Sequence, residues 1–156
     1  MKKTINIFFL IILLSINSFC HEKKSLLSLD MKITDLIEFL GEPDSIKVIP
    51  YESKKDYDDI WYIYDSAEIC TYRIVQKVSK IRIKSNNFIL DVNDKYITCG
   101  YKKHEIDALL GQGTLEKKDT KGNEYYYYPS ADLSEVDVVY DNSSTAIEIY
   151  YAYSEP

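Results

Sequence analysis

Nucleophilic chemistry would need a thiol or hydroxyl beside a base, and one pairing of that kind is within reach in this sequence. Cys99 and His104 lie five positions apart, with Asp107 following. A Cys–His pair can act as an activated nucleophile. The flanking residues do not mark it: "YKKHEIDALLG" reads as an amphipathic helix with His104 among its charged positions, which is the pattern of a solvated helix histidine. Asp56, Asp58 and Asp59 in "DYDDIWYIYD" supply carboxylates, but a calcium loop wants regular oxygen spacing and a turn glycine, and both are missing. There is no Gly-rich phosphate loop, nucleophile elbow or Cys-x-x-Cys zinc spacing. The expectation is therefore a protein that is not an enzyme, without metal or cofactor. A small hydrolase-like enzyme using His104 and Cys99 is the lesser alternative.

The other residues that could do chemical work are aromatic. Tyrosine supplies 15 of the 156 residues, and "EYYYYP" carries four in succession. Tyr and Arg are enriched where proteins bind proteins. The elements that would carry these rings read as follows. "DMKITDLIEFLGEPDSI" (30–46) and "GYKKHEIDALLGQGTLE" (100–116) align at an offset of 70, with Leu40-Gly41 on Leu110-Gly111. Ile33, Leu36, Ile37 and Leu40 fall at i, i+3, i+4 and i+7, and Ile106, Leu109 and Leu110 make a narrower stripe, so each segment predicts a short helix. Each helix runs into a glycine, which takes the left-handed C′ conformation cheaply. Pro43 reinforces the first stop.

An aromatic strand follows each helix: "IWYIYD" (60–65), and "YYYYPS" (125–130) at an offset of 64. "TYRIVQ" (71–76) and "EVDVVY" (135–140) come next, then "SKIRIKS" (79–85) and "TAIEIYYAY" (145–153), with "NFILDV" (87–92) as a joining strand. The charged stretch 51–59 reads as a surface loop. The fold expected is α+β: two tandem units of a short helix plus a three-to-four-stranded antiparallel meander, about residues 25–90 and 91–153, joined into one sheet with helices on one face.

Leu40-Gly41-Glu42-Pro43 followed by Trp61-Tyr62-Ile63-Tyr64 resembles the repeat of the β-lactamase-inhibitor-protein-like group, which includes the SmpA/OmlA small outer-membrane lipoproteins. The resemblance spans most of residues 25–153 and departs in the second unit, where Gly113 replaces Pro43. It implies tandem units whose sheets meet edge to edge, an open aromatic face, and an exported binding protein. It carries over no individual inhibitory residue.

Strand alternation sends side chains to opposite faces. Taking the most apolar positions as inward puts Trp61, Ile63, Tyr72, Ile74, Ile81 and Ile83 against the helices in the first unit, and Val136, Val138, Ile147, Ile149 and Tyr151 in the second. Tyr125 and Tyr127 follow Trp61 and Ile63 inward. Tyr62, Tyr64, Arg73, Arg82, Tyr126, Tyr128 and Tyr150 are then the expected partner-binding face, with Lys80, Lys84, Asp137 and Glu148 beside them. The occupant expected is a protein that the sequence does not name, in an inhibitor, immunity or envelope-assembly role. The alternative is a structural envelope lipoprotein that self-associates through the same face.

The chain opens "MKKTINIFFLIILLSINSFC", a basic pair followed by an apolar run. That is the pattern of a secretory signal over residues 1–20, too short to span a bilayer as a helix, which takes ~20 apolar residues. Cleavage before His21 and lipidation of Cys20 are both open; a cysteine at this position favours the lipoprotein, although Phe19 stands where that pattern wants a small residue. The expected destination is the periplasm or cell envelope, with membrane contact only through a lipid on Cys20. Residues 21–156 form a single mature domain, large enough for a real core. Removal of 1–20 moves the formal charge from −6 to −8. An acidic body does not attract nucleic-acid phosphates, so nucleic acid is excluded as a partner. Cys70 and Cys99 remain; whether they pair is a matter of geometry.

Overall fold

The computed structural model describes residues 24–51, 57–130 and 133–153. The leader, Cys20 and His21, and residues 52–56 of the charged loop lie outside them. The fold is α+β, with two helices and mostly antiparallel strands. In chain order the elements are β1 (Ser25–Ser28), α1 (Ile33–Leu40), β2 (Ser45–Ile49), β3 (Asp59–Tyr64), β4 (Ala67–Tyr72), β5 (Val78–Ile83), β6 (Phe88–Val92), β7 (Lys95–Ile97), α2 (Lys103–Leu110), β8 (Thr114–Lys118), β9 (Glu124–Pro129), β10 (Ser134–Tyr140) and β11 (Ala146–Tyr153).

One eight-stranded antiparallel sheet runs in the order β2-β3-β4-β5-β11-β10-β9-β8. Its seam is the β5–β11 pair, where Ile83 faces Ile149 and Ile81 faces Tyr151. A second sheet, β1-β6-β7, pairs β1 parallel with β6 and β6 antiparallel with β7. The two-residue turn of that hairpin is Asn93-Asp94, at φ 53° and 63°. Asn and Asp tolerate this left-handed region, which a tight hairpin demands. The small sheet and both helices cover one side of the large sheet. Leu27, Ile33, Leu36, Leu90, Ile97 and Ile106 share one buried cluster with Ile69, Ile81, Ile83, Val136, Val138 and Ile149.

The helices stop where expected. Gly41 and Gly111 sit at φ 87° and 95°, and their N–H groups return to the carbonyls of Ile37 and Asp107 at 2.8 and 3.0 Å. A side chain at that φ is strained, which is why glycine ends each helix. The helices also enter alike. In the first, the amides of Asp30, Ile33 and Val78 donate to Val78, Gln76 and Met31; in the second, those of Gly100, Lys103 and Ala146 donate to Ala146, Ser144 and Tyr101.

Besides β1 and β7, which were not expected and form with β6 a second sheet where a single one was expected, three features differ from the sequence reading. The strand expected at 71–76 is β4 at 67–72, and residues 73–77 turn back into β5, with Gln76 at φ 52°. The edge strands β2 and β8 were not expected, being short and exposed along their whole length. The third difference is the faces. Tyr62 lies opposite Ile69 and Tyr64 opposite Ala67; Tyr128 lies opposite Val136 and Tyr126 opposite Val138. Those partners are core, so these four tyrosines point to the helix side, and Tyr128 is 1% exposed. Trp61, Ile63, Tyr125 and Tyr127 therefore face the other way.

Candidate functional site

The uncovered face of the large sheet is built from the alternate residues. Directly opposed positions form one continuous row across all eight strands: Ser45, Ile63, Glu68, Arg82, Tyr150, Asp137, Tyr127 and Thr114. An adjacent row runs Lys47, Trp61, Cys70, Lys80, Ala152, Glu135 and Pro129. Five aromatic rings, those of Trp61, Tyr72, Tyr125, Tyr127 and Tyr150, thus stand among charges on a half-buried surface.

Apart from Lys47, the charges of the first half are matched. Arg82 Nη1 donates to Glu68 Oε2 at 2.9 Å, and Lys84 Nζ donates to Glu68 Oε1. Arg82 Nε lies 3.4 Å from Glu148 Oε1 without the alignment of a hydrogen bond. The guanidinium stacks 5.5 Å from the Tyr150 ring centroid, within cation–π range. Lys80 Nζ donates to Asp59 Oδ2 at 3.1 Å. Burial alone would raise the Glu68 carboxyl, but Lys84 and Arg82 together hold it below the ordinary glutamate range.

The second half has no such match. Asp137 occupies the same row beyond the seam, between Tyr150 and Tyr127. Burial, and then the negative charges of Glu116 and Glu135, push its carboxyl up to about 6 against the opposing pull of Lys117. Among the described residues no cation pairs with it. Trp61 Nε1 is likewise buried without a hydrogen-bond partner among the described residues. A buried donor left orphaned costs free energy, so natural folds retain few of them.

Of the residues expected on the binding face, Arg82 and Tyr150 are on it, beside Lys80, Lys84, Asp137 and Glu148. Tyr62, Tyr64, Tyr126 and Tyr128 are not, for the register reason above. Tyr64 Oη reaches the Gly41 carbonyl at 3.2 Å. Tyr126 packs edge-on to Tyr140 with centroids 5.6 Å apart. Tyr128 Oη donates to Asp107 Oδ1 at 2.8 Å and lies 2.8 Å from Tyr140 Oη. Arg73 is also off the face. It sits beyond the end of β4 and holds the buried Asp58 through Nη2 at 3.2 Å. The tyrosine hydroxyls on the helix side thus serve packing.

No protein family matches the sequence, and no curated protein does. Solved structures with a similar arrangement include an extracellular protein containing a SCP domain from Bacillus anthracis, at 13% identity and TM-score 0.49, covering 80% of this chain and 43% of that one. A DUF4309 family protein from Bacillus subtilis matches at 14% identity and TM-score 0.47, over 78% of this chain and 77% of that one. A cysteine-rich secretory protein from Staphylococcus aureus matches at 15% identity and TM-score 0.46, over 80% and 44%. This chain spans less than half the length of the first and third. These likenesses do not bear on the resemblance to the β-lactamase-inhibitor-protein-like group.

The Cys99–His104 pair is not assembled. Cys99 is buried and its Sγ lies 3.5 Å from the Ile83 carbonyl oxygen, while His104 is exposed on α2 and no hydrogen bond joins the two. Cys70 and Cys99 are both unpaired. Burial, more than any neighbour, pushes both thiols up to about 12. The thiolate is the reactive form, so both should resist iodoacetamide in the native protein by on the order of 1000-fold relative to a free cysteine. Mass spectrometry of a chain beginning at His21 should find both unmodified when folded and both alkylated in denaturant. Rapid native labelling of Cys99 would reopen the Cys–His reading.

Among the described residues no group of His, Cys, Asp and Glu could hold a metal ion. No helix there is long and apolar enough to cross a membrane. A pocket of about 430 Å³ opens on the helix side between Val92, Leu110, Tyr128 and Val136. Asn93 and Ser130 close its rim through a 2.6 Å hydrogen bond. Lys95 and Ser130 also line it, and the Tyr128 hydroxyl in its wall is already engaged by Asp107 and Tyr140.

Proposed function

We propose that the protein is an exported, non-enzymatic module that binds another protein through the open face of its eight-stranded sheet. The observation that carries this reading is the half-buried row Ile63–Glu68–Arg82–Tyr150–Asp137–Tyr127 on the uncovered face, with Trp61 and Tyr125 alongside. Rigid aromatic rings beside Arg are the composition of binding hot spots.

The sheet is made of two related units. Ile46–Tyr62–Ile69–Ile81 in one half matches Leu115–Tyr126–Val138–Ile149 in the other, rung for rung. The shared entry and exit hydrogen bonds of α1 and α2 support the same reading. The leader pattern and Cys20 support a location in the cell envelope, with a lipid on Cys20 as the anchor.

The test is site-specific photocrosslinking in the native host. A benzophenone side chain at Tyr127 should give a discrete adduct with a second protein, whereas the same group at Leu109, exposed on α2, should give none. Adducts of equal yield from both positions would remove the assignment of the face. An adduct of twice the chain's own mass would make the face a self-association surface instead.

A further inference from the structure

The two ends of the large sheet are unlike. β8 is guarded in the ways natural proteins use to blunt an edge. Its register with β9 is irregular between Leu115 and Lys117, and Lys117 and Lys118 are both charged. Lys117 Nζ lies over the Tyr125 ring at 4.4 Å and Lys118 Nζ donates to Glu124 at 3.2 Å, so this edge is committed to β9.

Apart from the single Lys47, β2 has none of these devices. It runs in unbroken register along β3 for all five residues, Ser45 against Ile63 to Ile49 against Asp59. Among the described residues it pairs with nothing else. Ile46, Val48 and Ile49 are 58, 45 and 43% exposed. Every second amide of an edge strand turns away from its partner strand, so β2 presents a row of free donors and acceptors beside apolar side chains. An edge of this kind is a hazard unless something occupies it.

The single charge on β2 identifies the occupant. Lys47 makes no ion pair among the described residues, and its cross-strand neighbour is Trp61. A second copy of β2 fits poorly: two-fold antiparallel pairing with full overlap sets Lys47 against Lys47, and like charges directly opposed are destabilising. We infer that β2 accepts an extended segment of a partner protein as a ninth strand, with an acidic residue opposite Lys47 and apolar residues opposite Ile46 and Val48. Main-chain hydrogen bonds would supply affinity, and the apolar–acidic–apolar pattern would supply selectivity.

The probe is a capped synthetic peptide, Ser-Thr-Val-Glu-Val-Thr-Ser, with a lysine-centred control of otherwise identical sequence. Amide hydrogen exchange of residues 45–49 is followed by NMR. The Glu peptide should slow exchange along β2 by ~10-fold or more, and the Lys peptide should bind ~5-fold more weakly, the scale of one cross-strand charge pair. Lys47→Glu should reverse that preference. Ile46→Lys with Val48→Lys, both at exposed positions, should abolish protection while leaving the fold intact. Tyr127→Ser should change nothing, which separates this edge from the open-face reading. Equal binding of the two peptides, or no protection at millimolar peptide, overturns the inference. So does protection of β2 that grows with protein concentration alone and accompanies a dimer mass.

Discussion

Replacing Gly113 by alanine is expected to destabilise the protein by about 2–3 kcal/mol, the usual cost of overpacking a filled site. A Cβ built on Gly113 would stand 2.5 Å from Tyr128 Cζ and 2.7 Å from Cε1. Neither side can yield cheaply. Tyr128 is 1% exposed, and its hydroxyl is fixed by Asp107 and Tyr140. Asp107 is fixed in turn, since Lys103 Nζ donates to its other oxygen at 2.7 Å. The sign is diagnostic, because a glycine-to-alanine change at an unstrained, uncrowded position stabilises by about 0.4–1 kcal/mol. Urea denaturation checks the loss. Combining Gly113→Ala with Tyr128→Leu separates the cause: the alanine should cost little once the ring is gone. A full loss in both backgrounds would show that backbone conformation, not the ring, demands glycine.

The same residue explains a departure seen in the sequence. Gly113 stands at the position of Pro43, and that reads as a weakened copy. In the fold it is a different solution. On the first side Tyr64 stops at the Gly41 carbonyl. On the second, Tyr128 reaches past Gly113 to Asp107, which occupies the place of the apolar Ile37. The sequence could not announce this, because the partner of a tyrosine hydroxyl depends on packing between elements far apart in the chain.

What was legible is local. Leu-Gly ends, the four-residue apolar stripe of α1 and the β-branched runs of β5, β10 and β11 each announce their element through one period. Side-chain direction was legible where a strand alternates. Glu135-Val136-Asp137-Val138 leaves no doubt, and Val136 and Val138 are buried. It was not legible in "IWYIY" and "YYYY", where both parities are apolar. There the face is set by the neighbouring strand, and β4 was the neighbour misread. In "AEICTY" Ala67, Ile69 and Thr71 point inward and Glu68 and Tyr72 outward, with the buried Cys70 on the outward side. Placing the strand at 71–76 discarded that signal and turned four tyrosines to the wrong side. β2 and β8 were missed because an exposed edge strand needs no buried face and so carries no period.

Asp137→Asn is expected to stabilise the protein by about 2 kcal/mol at neutral pH and by nearly nothing below about pH 4, where Asp137 is already protonated in the fold and becoming so in the unfolded chain. The carboxyl sits near 3.8 when unperturbed and is pushed up to about 6 in the fold. The folded state therefore holds this proton more tightly than the unfolded chain. Stability from this group is complete below the unfolded value and is lost as pH rises through the folded one. A rise of that size in a fully buried carboxyl corresponds to about 3 kcal/mol; solvent screening of a partly exposed side chain brings the figure down. Chemical denaturation of both proteins across that interval measures it, and a gain that stays constant with pH would mean that Asn packs better rather than removing a charge. Glu68, in the corresponding row, carries its own cations in Arg82 and Lys84, whereas the seam places Tyr150 and Ala152 where those bases would stand. The fold thus tolerates an uncompensated carboxylate between two tyrosine rings at the centre of its open face. Stability given up at a surface of this composition is the usual mark of a site shaped for something else. A partner that brings a lysine or arginine to Asp137 would draw its carboxyl back down. Such a partner should bind the wild-type face more tightly as pH rises through that interval, and the Asn variant should lose both the affinity and its pH dependence.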